Sequence, residues 1–202
     1  MWNYDPYLEP GAGHLFDRSG PGWAMGFFSN SSYRWSLPSW TKRAKVMMGL
    51  LELVTEFYDR DGGRFYLCNM DGMTLHHNKH FELSLTESSL PLSATQISTA
   101  LKNITCYSWR DCAFTPQCTT LCNYKTHTCL PRLVRPTLSH ACHVMTDYLL
   151  FDAPARLKPT LGRLLRRCQK LTWSMSELDL HHSLLSLELR DIIWGHIQNA
   201  AR

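Results

Sequence analysis

From Cys106 to Cys129 the chain places five cysteines within 24 residues, CYSWRDCAFTPQCTTLCNYKTHTC. Thiols so close together can bind a metal, exchange redox equivalents or cross-link. A zinc site needs four thiolate or imidazole ligands, usually as two close pairs. Cys118-x3-Cys122 makes one pair, and His127 with Cys129, or His140 with Cys142 and His143, offers a second. That reading leaves the other cysteines unexplained, and Cys106, Cys112 and Cys118 recur at sixes, which is not a zinc-knuckle spacing. A redox dithiol needs Cys-x-x-Cys at a strand-to-helix turn, and the chain has no such motif. Disulfides fit better. The total of eight cysteines is even, and a loop-rich run lacks other rigidity. Each closed loop of this size adds about 2 to 4 kcal/mol by restricting the unfolded chain. Connectivity within the cluster stays open. Cys142 and Cys168 stand on consecutive predicted helices joined by a turn through Asp152-Ala153-Pro154, which makes a bridge between them geometrically reasonable.

Other groups with chemical potential are weaker. His76, His77 and His80 bracket a predicted turn, where exposed polar histidines are common. The stretch DRDGG fails as a calcium loop, because Gly63 stands where an oxygen ligand is needed, Arg64 where glycine is needed and Met70 at the twelfth position. Gly11-Ala12-Gly13 lacks the third glycine of a phosphate loop. Asn30-Ser31-Ser32 and Asn103-Ile104-Thr105 are acceptor sequons for N-glycosylation. Beside a cysteine cluster they point to an oxidising lumen.

These groups must be held by a fold, and 202 residues with 44% apolar and aromatic content suffice for one domain with a sizeable core. The net charge of +4 is modest. Arg163, Arg166, Arg167 and Lys170 fall at helical spacing on a solvated face, so nucleic acid is not an expected partner. The N-terminus has no basic start followed by an apolar run, and no stretch approaches the ~20 apolar residues of a membrane-spanning helix.

Residues 1–38, rich in Gly, Pro, Ser and aromatics, read as an irregular N-terminal segment. A helix follows from Pro38-Ser39, with Val46, Met47, Leu50, Leu51, Val54, Phe57 and Tyr58 as its buried stripe. Gly49 within it suggests close approach by another element. RFYLCN reads as a short inner strand. GMTLHH and HFELSLTE form a small β-hairpin turning at Asn78-Lys79, and Pro91 and Ser93 open a short helix. Three helices close the chain within residues 136–200. The last is expected to open with a capping box of Ser174 and Glu177 and to bury Leu178, Leu184, Leu185, Ile192, Trp194 and Ile197.

The spacing Cys106-x5-Cys112-x5-Cys118-x3-Cys122-x6-Cys129, followed by RPTLSHAC, a leucine-rich helix ending at Cys168 and HHSLLSLELRDIIWGHI, resembles the C-terminal half of the cysteine-rich divergent protein kinase domain family of the endoplasmic reticulum. RAKVMMGLLELV and FYLCNMDG extend the resemblance over residues 38–200. It implies a mainly α protein-kinase-like large lobe over residues 39–202, with a disulfide-rich insert at 106–129 where a kinase carries its activation segment. It also implies that RFYLCNMDGMTL occupies the catalytic-loop position and that HFELSLTE leads to the metal-binding motif.

Phosphoryl transfer in a kinase needs an Asp base, an Asn five residues on for one magnesium, and an Asp after the next strand for the other. Counted from Cys68, the first two positions hold Asn69 and Thr74; the third falls on Leu85 if the strand ends there, or near Glu87 if the hairpin is longer, and only the second placement leaves a metal ligand. An amide is no general base, and a hydroxyl is a weak substitute for the amide ligand. Residues 1–38 are too few for a five-stranded small lobe, so the chain as given reads as a large lobe alone. The expectation is a non-catalytic, pseudokinase-like scaffold without cofactor, resident in the endoplasmic reticulum lumen or secretory pathway. It would bind proteins of that pathway, and a segment upstream would anchor it to the membrane, as the resemblance implies. The alternatives are an atypical kinase or nucleotide-dependent transferase using Asp71 and Glu87 with ATP and magnesium, and a zinc module built on Cys118, Cys122 and His127. All eight cysteines, Cys68 included, are expected in disulfides, with Cys142 to Cys168 as the one suggested pair, and Asn30 and Asn103 as glycan acceptors.

Overall fold

The computed structural model describes residues 13–14, 39–61, 65–68, 75–78, 80, 83–85, 91–115, 118–172 and 177–200. Its helices are α1 (Trp40–Asp61), α2 (Ala94–Leu101), α3 (Thr137–Leu150), α4 (Lys158–Gln169) and α5 (Leu178–Ala200). Its short strands are β1 (Gly13–His14), β2 (Phe65–Tyr66), β3 (Leu75–His77), β4 (Leu83–Leu85), β5 (Leu92–Ser93), β6 (Thr120–Asn123) and β7 (Thr128–Leu133). The architecture is mainly helical.

The principal core forms where α1 packs against α3, α4 and α5. The 3.6-residue stripe of α1 buries Ala44, Met47, Leu50, Leu51 and Val54. A Cβ on Gly49 would stand 3.4 Å from the Leu83 Cβ, so β4 is the element that approaches there. Arg43 lies on the buried side of α1 at only 2% exposure. It donates to the carbonyls of Tyr148 (2.6 Å) and Phe151 (2.9 Å). Three residues earlier, Trp40 Nε1 donates to the carbonyl of Leu149 at 2.8 Å. Helix α1 thus satisfies carbonyls left without intrahelical partners at the end of α3, and its guanidinium sits at the negative end of that helix's dipole. The chain leaves α3 through Asp152, whose φ of 51° is left-handed.

Helices α3 and α4 pack closely and are joined by the Cys142–Cys168 disulfide. Ser139 Oγ donates to the carbonyl of Gln169 (2.9 Å), and Gln169 Nε2 donates to Thr146 Oγ1 (2.6 Å), so polar side chains fasten the same seam. On α3, burial and the neighbouring His143 and Arg135 charges push the His140 pKa down to about 4. The unfolded chain takes up that proton near pH 6.5, so stability present above pH 6.5 is lost as pH falls toward 4. The full shift corresponds to about 3 kcal/mol, and partial exposure of the ring reduces this to about 2 kcal/mol. His143, lowered by burial, adds to the loss, while Asp147, raised by burial, opposes it at the acidic end. Urea unfolding at pH 7 and pH 4.5 should show a smaller pH-dependent loss in His140→Gln than in the parent; equal losses contradict this assignment.

Helix α5 departs from expectation at its start and on its outer face. The helix runs from Leu178, and Glu177 before it has a φ of 57°, which is not helical, while the expected cap Ser174 lies outside the described residues. Leu178, Leu185, Leu189, Ile193 and Ile197 are buried, but Leu184 and Trp194, expected in the core, are 43% and 49% exposed, and Ile192 is only partly covered. The helix is apolar on more than one side, and its buried row runs through Leu185, Leu189 and Ile193. Tyr58 of α1 stacks on the buried His182 ring (centroids 3.7 Å apart) and donates to Asp179.

The expected hairpin is present. β3 pairs antiparallel with β4 from Leu75↔Leu85 to His77↔Leu83. β1 adds a third strand through Gly13↔His77, inside the segment read as irregular. β2 pairs with β5, and Ser93 then caps α2: its hydroxyl accepts from Gln96 N (3.2 Å) while Gln96 Oε1 accepts from Ser93 N (2.8 Å).

The cysteine run contains a second hairpin that its spacing did not disclose. β6 and β7 pair antiparallel with Cys122 opposite Cys129, joined by a turn in which His127 adopts a φ of 54°. These facing cysteines are not bonded to each other. Cys122 bonds to Cys106, and Cys129 bonds to Cys112, so both strands are tied to the segment that precedes them.

Candidate functional site: the stapled catalytic-loop position

Of the positions assigned to catalysis, Asn69, Asp71, Thr74 and Glu87 lie outside the described residues, as does the sequon residue Asn30. The structure describes the frame that leads into them. Strand β2 delivers Leu67 to the principal core and Tyr66 and Cys68 to a second core with Ile97, Leu101, Cys118 and Leu133. The residue immediately before Asn69 is therefore fully enclosed at a junction of two cores.

Two bonds hold it. Cys68 is disulfide-bonded to Cys118, with Cα atoms 5.2 Å apart. Thr115 Oγ1 donates to the Cys68 carbonyl at 3.0 Å and accepts from Cys118 N at 3.0 Å. Phe114 N donates to the Cys118 carbonyl (2.9 Å), which closes the turn that presents this hydroxyl. After residues 69–74, which lie outside the described residues, Leu75 is the register partner of Leu85. The strand ends that lead toward Thr74 and Glu87 accordingly lie side by side. The described side chains of this frame, among them Tyr66, Cys68, His77, Asn78, His80 and Leu83, include no carboxylate. His77 is buried with Nδ1 2.9 Å from the Asn78 carbonyl, whereas His80 is exposed, so these two histidines do not converge as ligands.

The four pairs Cys68–Cys118, Cys106–Cys122, Cys112–Cys129 and Cys142–Cys168 use every cysteine. This overturns the zinc reading. Cys118 and Cys122 belong to different disulfides, and sulfur bonded to sulfur lacks the thiolate charge that zinc binds. The sulfurs of Cys106, Cys112 and Cys122 lie within 4.8 Å of one another because two bridges stack in the insert. His127 instead places Nδ1 3.1 Å from the Cys106 carbonyl and its ring 5.0 Å from that of Tyr107.

Thr115, which ties the Cys68 carbonyl to the insert, makes a contact that motif reading missed. Its contact spans 47 residues, and nothing in the local pattern FTPQC marks it. Arg43 was also missed, although a single cation on an apolar stripe is a readable signal.

No helix among the described residues is long and apolar enough to cross a membrane. Comparison with protein families matches residues 11–171 to the model described as the protein-kinase domain of FAM69. No solved structure matches the chain.

Proposed function

The chain belongs to the FAM69 protein-kinase-domain family, and from that premise we propose that it is a kinase-like domain of the secretory pathway that acts by binding proteins rather than by transferring phosphate. What supports this reading is the register that the family resemblance implies, which sets Asn69 and Thr74, with Leu85 in the shorter-hairpin placement, where an Asp base, an Asn ligand and an Asp ligand are needed. Four disulfides are consistent with an oxidising compartment. Exposed apolar side chains favour a protein partner: Leu180, Leu184, Leu187 and Trp194 on α5, Ile104 just before the insert, and Tyr107, Trp109 and Tyr124 on it. A structural fold alone does not assign this role.

One observation favours an enzyme instead. The Leu75↔Leu85 pairing sets side by side the strand ends that run toward Asp71 and Glu87, the two carboxylates that could hold magnesium. A melting experiment separates the readings. With magnesium or manganese ATP the binding module shows no change in Tm. A nucleotide held at 100-fold its Kd adds about 2.7 kcal/mol, a rise of about 5 °C or more for a domain of this size. Such a rise, abolished by Asp71→Ala or Glu87→Ala, would show a metal-nucleotide site and overturn the purely protein-binding reading.

A further inference from the structure

We propose that Asn103 carries an N-linked glycan, and that attachment is decided by a race against closure of the Cys106–Cys122 disulfide. The inference rests on the lumenal reading above, since the transferase and its donor are confined to that compartment. Asn103, Ile104 and Thr105 form the required amide and hydroxyl pair, and all three residues are exposed in the turn that ends α2. The Asn103 side chain thus has solvent before it, which is what a folded domain needs to tolerate a bulky sugar. Ile104 and Tyr107 stand exposed beside it in the chain, apolar surface that a hydrophilic glycan would shield.

The folded geometry also fixes when the sugar is added. Ile104 N donates to the Leu101 carbonyl (3.1 Å), Thr105 is bridged antiparallel to Thr128, and Cys106 N donates to the His127 carbonyl (2.9 Å). The very next residue after the acceptor hydroxyl is a fully buried disulfide sulfur. Once that bridge forms, the sequon backbone is committed to the insert and cannot reshape to enter an active site. Transfer must precede closure. In the step, the Asn103 side-chain nitrogen bonds to the anomeric carbon of a polyprenyl-diphosphate oligosaccharide. The bond from that carbon to the diphosphate oxygen breaks, the diphosphate leaves with the electron pair, and one amide proton passes to a base; nothing is oxidised or reduced.

The test expresses the full chain behind a cleavable leader, in an Asn30→Gln background, with protection of the cysteines from alkylation as an independent report of the lumen. The expected result is a mobility shift of one glycan, removed by N-glycosidase and lost in both Asn103→Gln and Thr105→Ala. Brief dithiothreitol treatment during synthesis should raise the glycosylated fraction. Protected cysteines without a glycosidase-sensitive shift would overturn the site while leaving the lumenal reading intact. Freely alkylated cysteines would overturn the disulfides on which the lumenal reading rests, and the race with them. A fraction unmoved by dithiothreitol would overturn the race.

Discussion

Arg43→Met lowers the free energy of unfolding by about 3 kcal/mol, read as a drop in urea midpoint at unchanged slope, although methionine fills much of the same volume. The reason is what the guanidinium leaves behind. Its two donors serve the carbonyls of Tyr148 and Phe151 at the end of α3, and methionine donates to neither. Burial lowers the pKa of Arg43, while the nearby Tyr148 and Asp152 raise it. An arginine starts so far above neutrality that it stays charged. The rings of Tyr148 and Phe151, with centroids 5.8 and 5.6 Å from the guanidinium carbon, add cation–π attraction. Arg43→Lys, which keeps the charge but loses the fork, should recover only part of the loss. Trp40→Phe removes one donor to Leu149 and should cost about 1 kcal/mol. If Arg43→Met and Trp40→Phe were equally mild, the end of α3 would be capped by water and not by α1.

What the chain disclosed in advance follows from the range of each signal. The stripe of α1, the helix opened at Ser93 and the β3–β4 hairpin are local patterns set by backbone geometry. Each appears at the expected place. Helix α5 failed on the same logic. With leucines on several sides, the angle of its buried row is undetermined by the sequence, and packing into the shared helical core selects Leu185, Leu189 and Ile193 over Leu184 and Trp194. The insert hairpin was hidden differently. Its cysteines were read by their spacing as cross-links, yet the strands place Cys122 opposite Cys129 while bonding each elsewhere, an arrangement that no spacing rule encodes. At the position read as catalytic, Asn69 and Thr74, counted from Cys68, lie outside the described residues. The clamp on Cys68 came from Thr115, whose partner is distant in sequence.

That clamp concentrates the second large effect. Replacing Cys68 and Cys118 together by serine should lower the free energy of unfolding by about 4 kcal/mol, since the bridge closes a loop of 50 residues. Removing Cys142 and Cys168, 26 residues apart, has an entropic cost of about 3.5 kcal/mol. The two pairs therefore differ little through the unfolded chain. They differ in what the folded protein keeps. The α3–α4 seam retains Ser139 and Gln169 as polar ties when its bridge is lost. Between Cys68 and the insert, the Thr115 hydroxyl is the remaining described tie. Below the unfolding transition, limited proteolysis should cut the Cys68/Cys118 variant first within residues 69–74, and adding Thr115→Val should speed that cleavage severalfold. The Cys142/Cys168 variant should show no such early cut. Early cleavage in both variants would mean that the bridges act only through overall stability. Cleavage confined to the first would show that the cysteine-rich insert holds the catalytic-loop position in place.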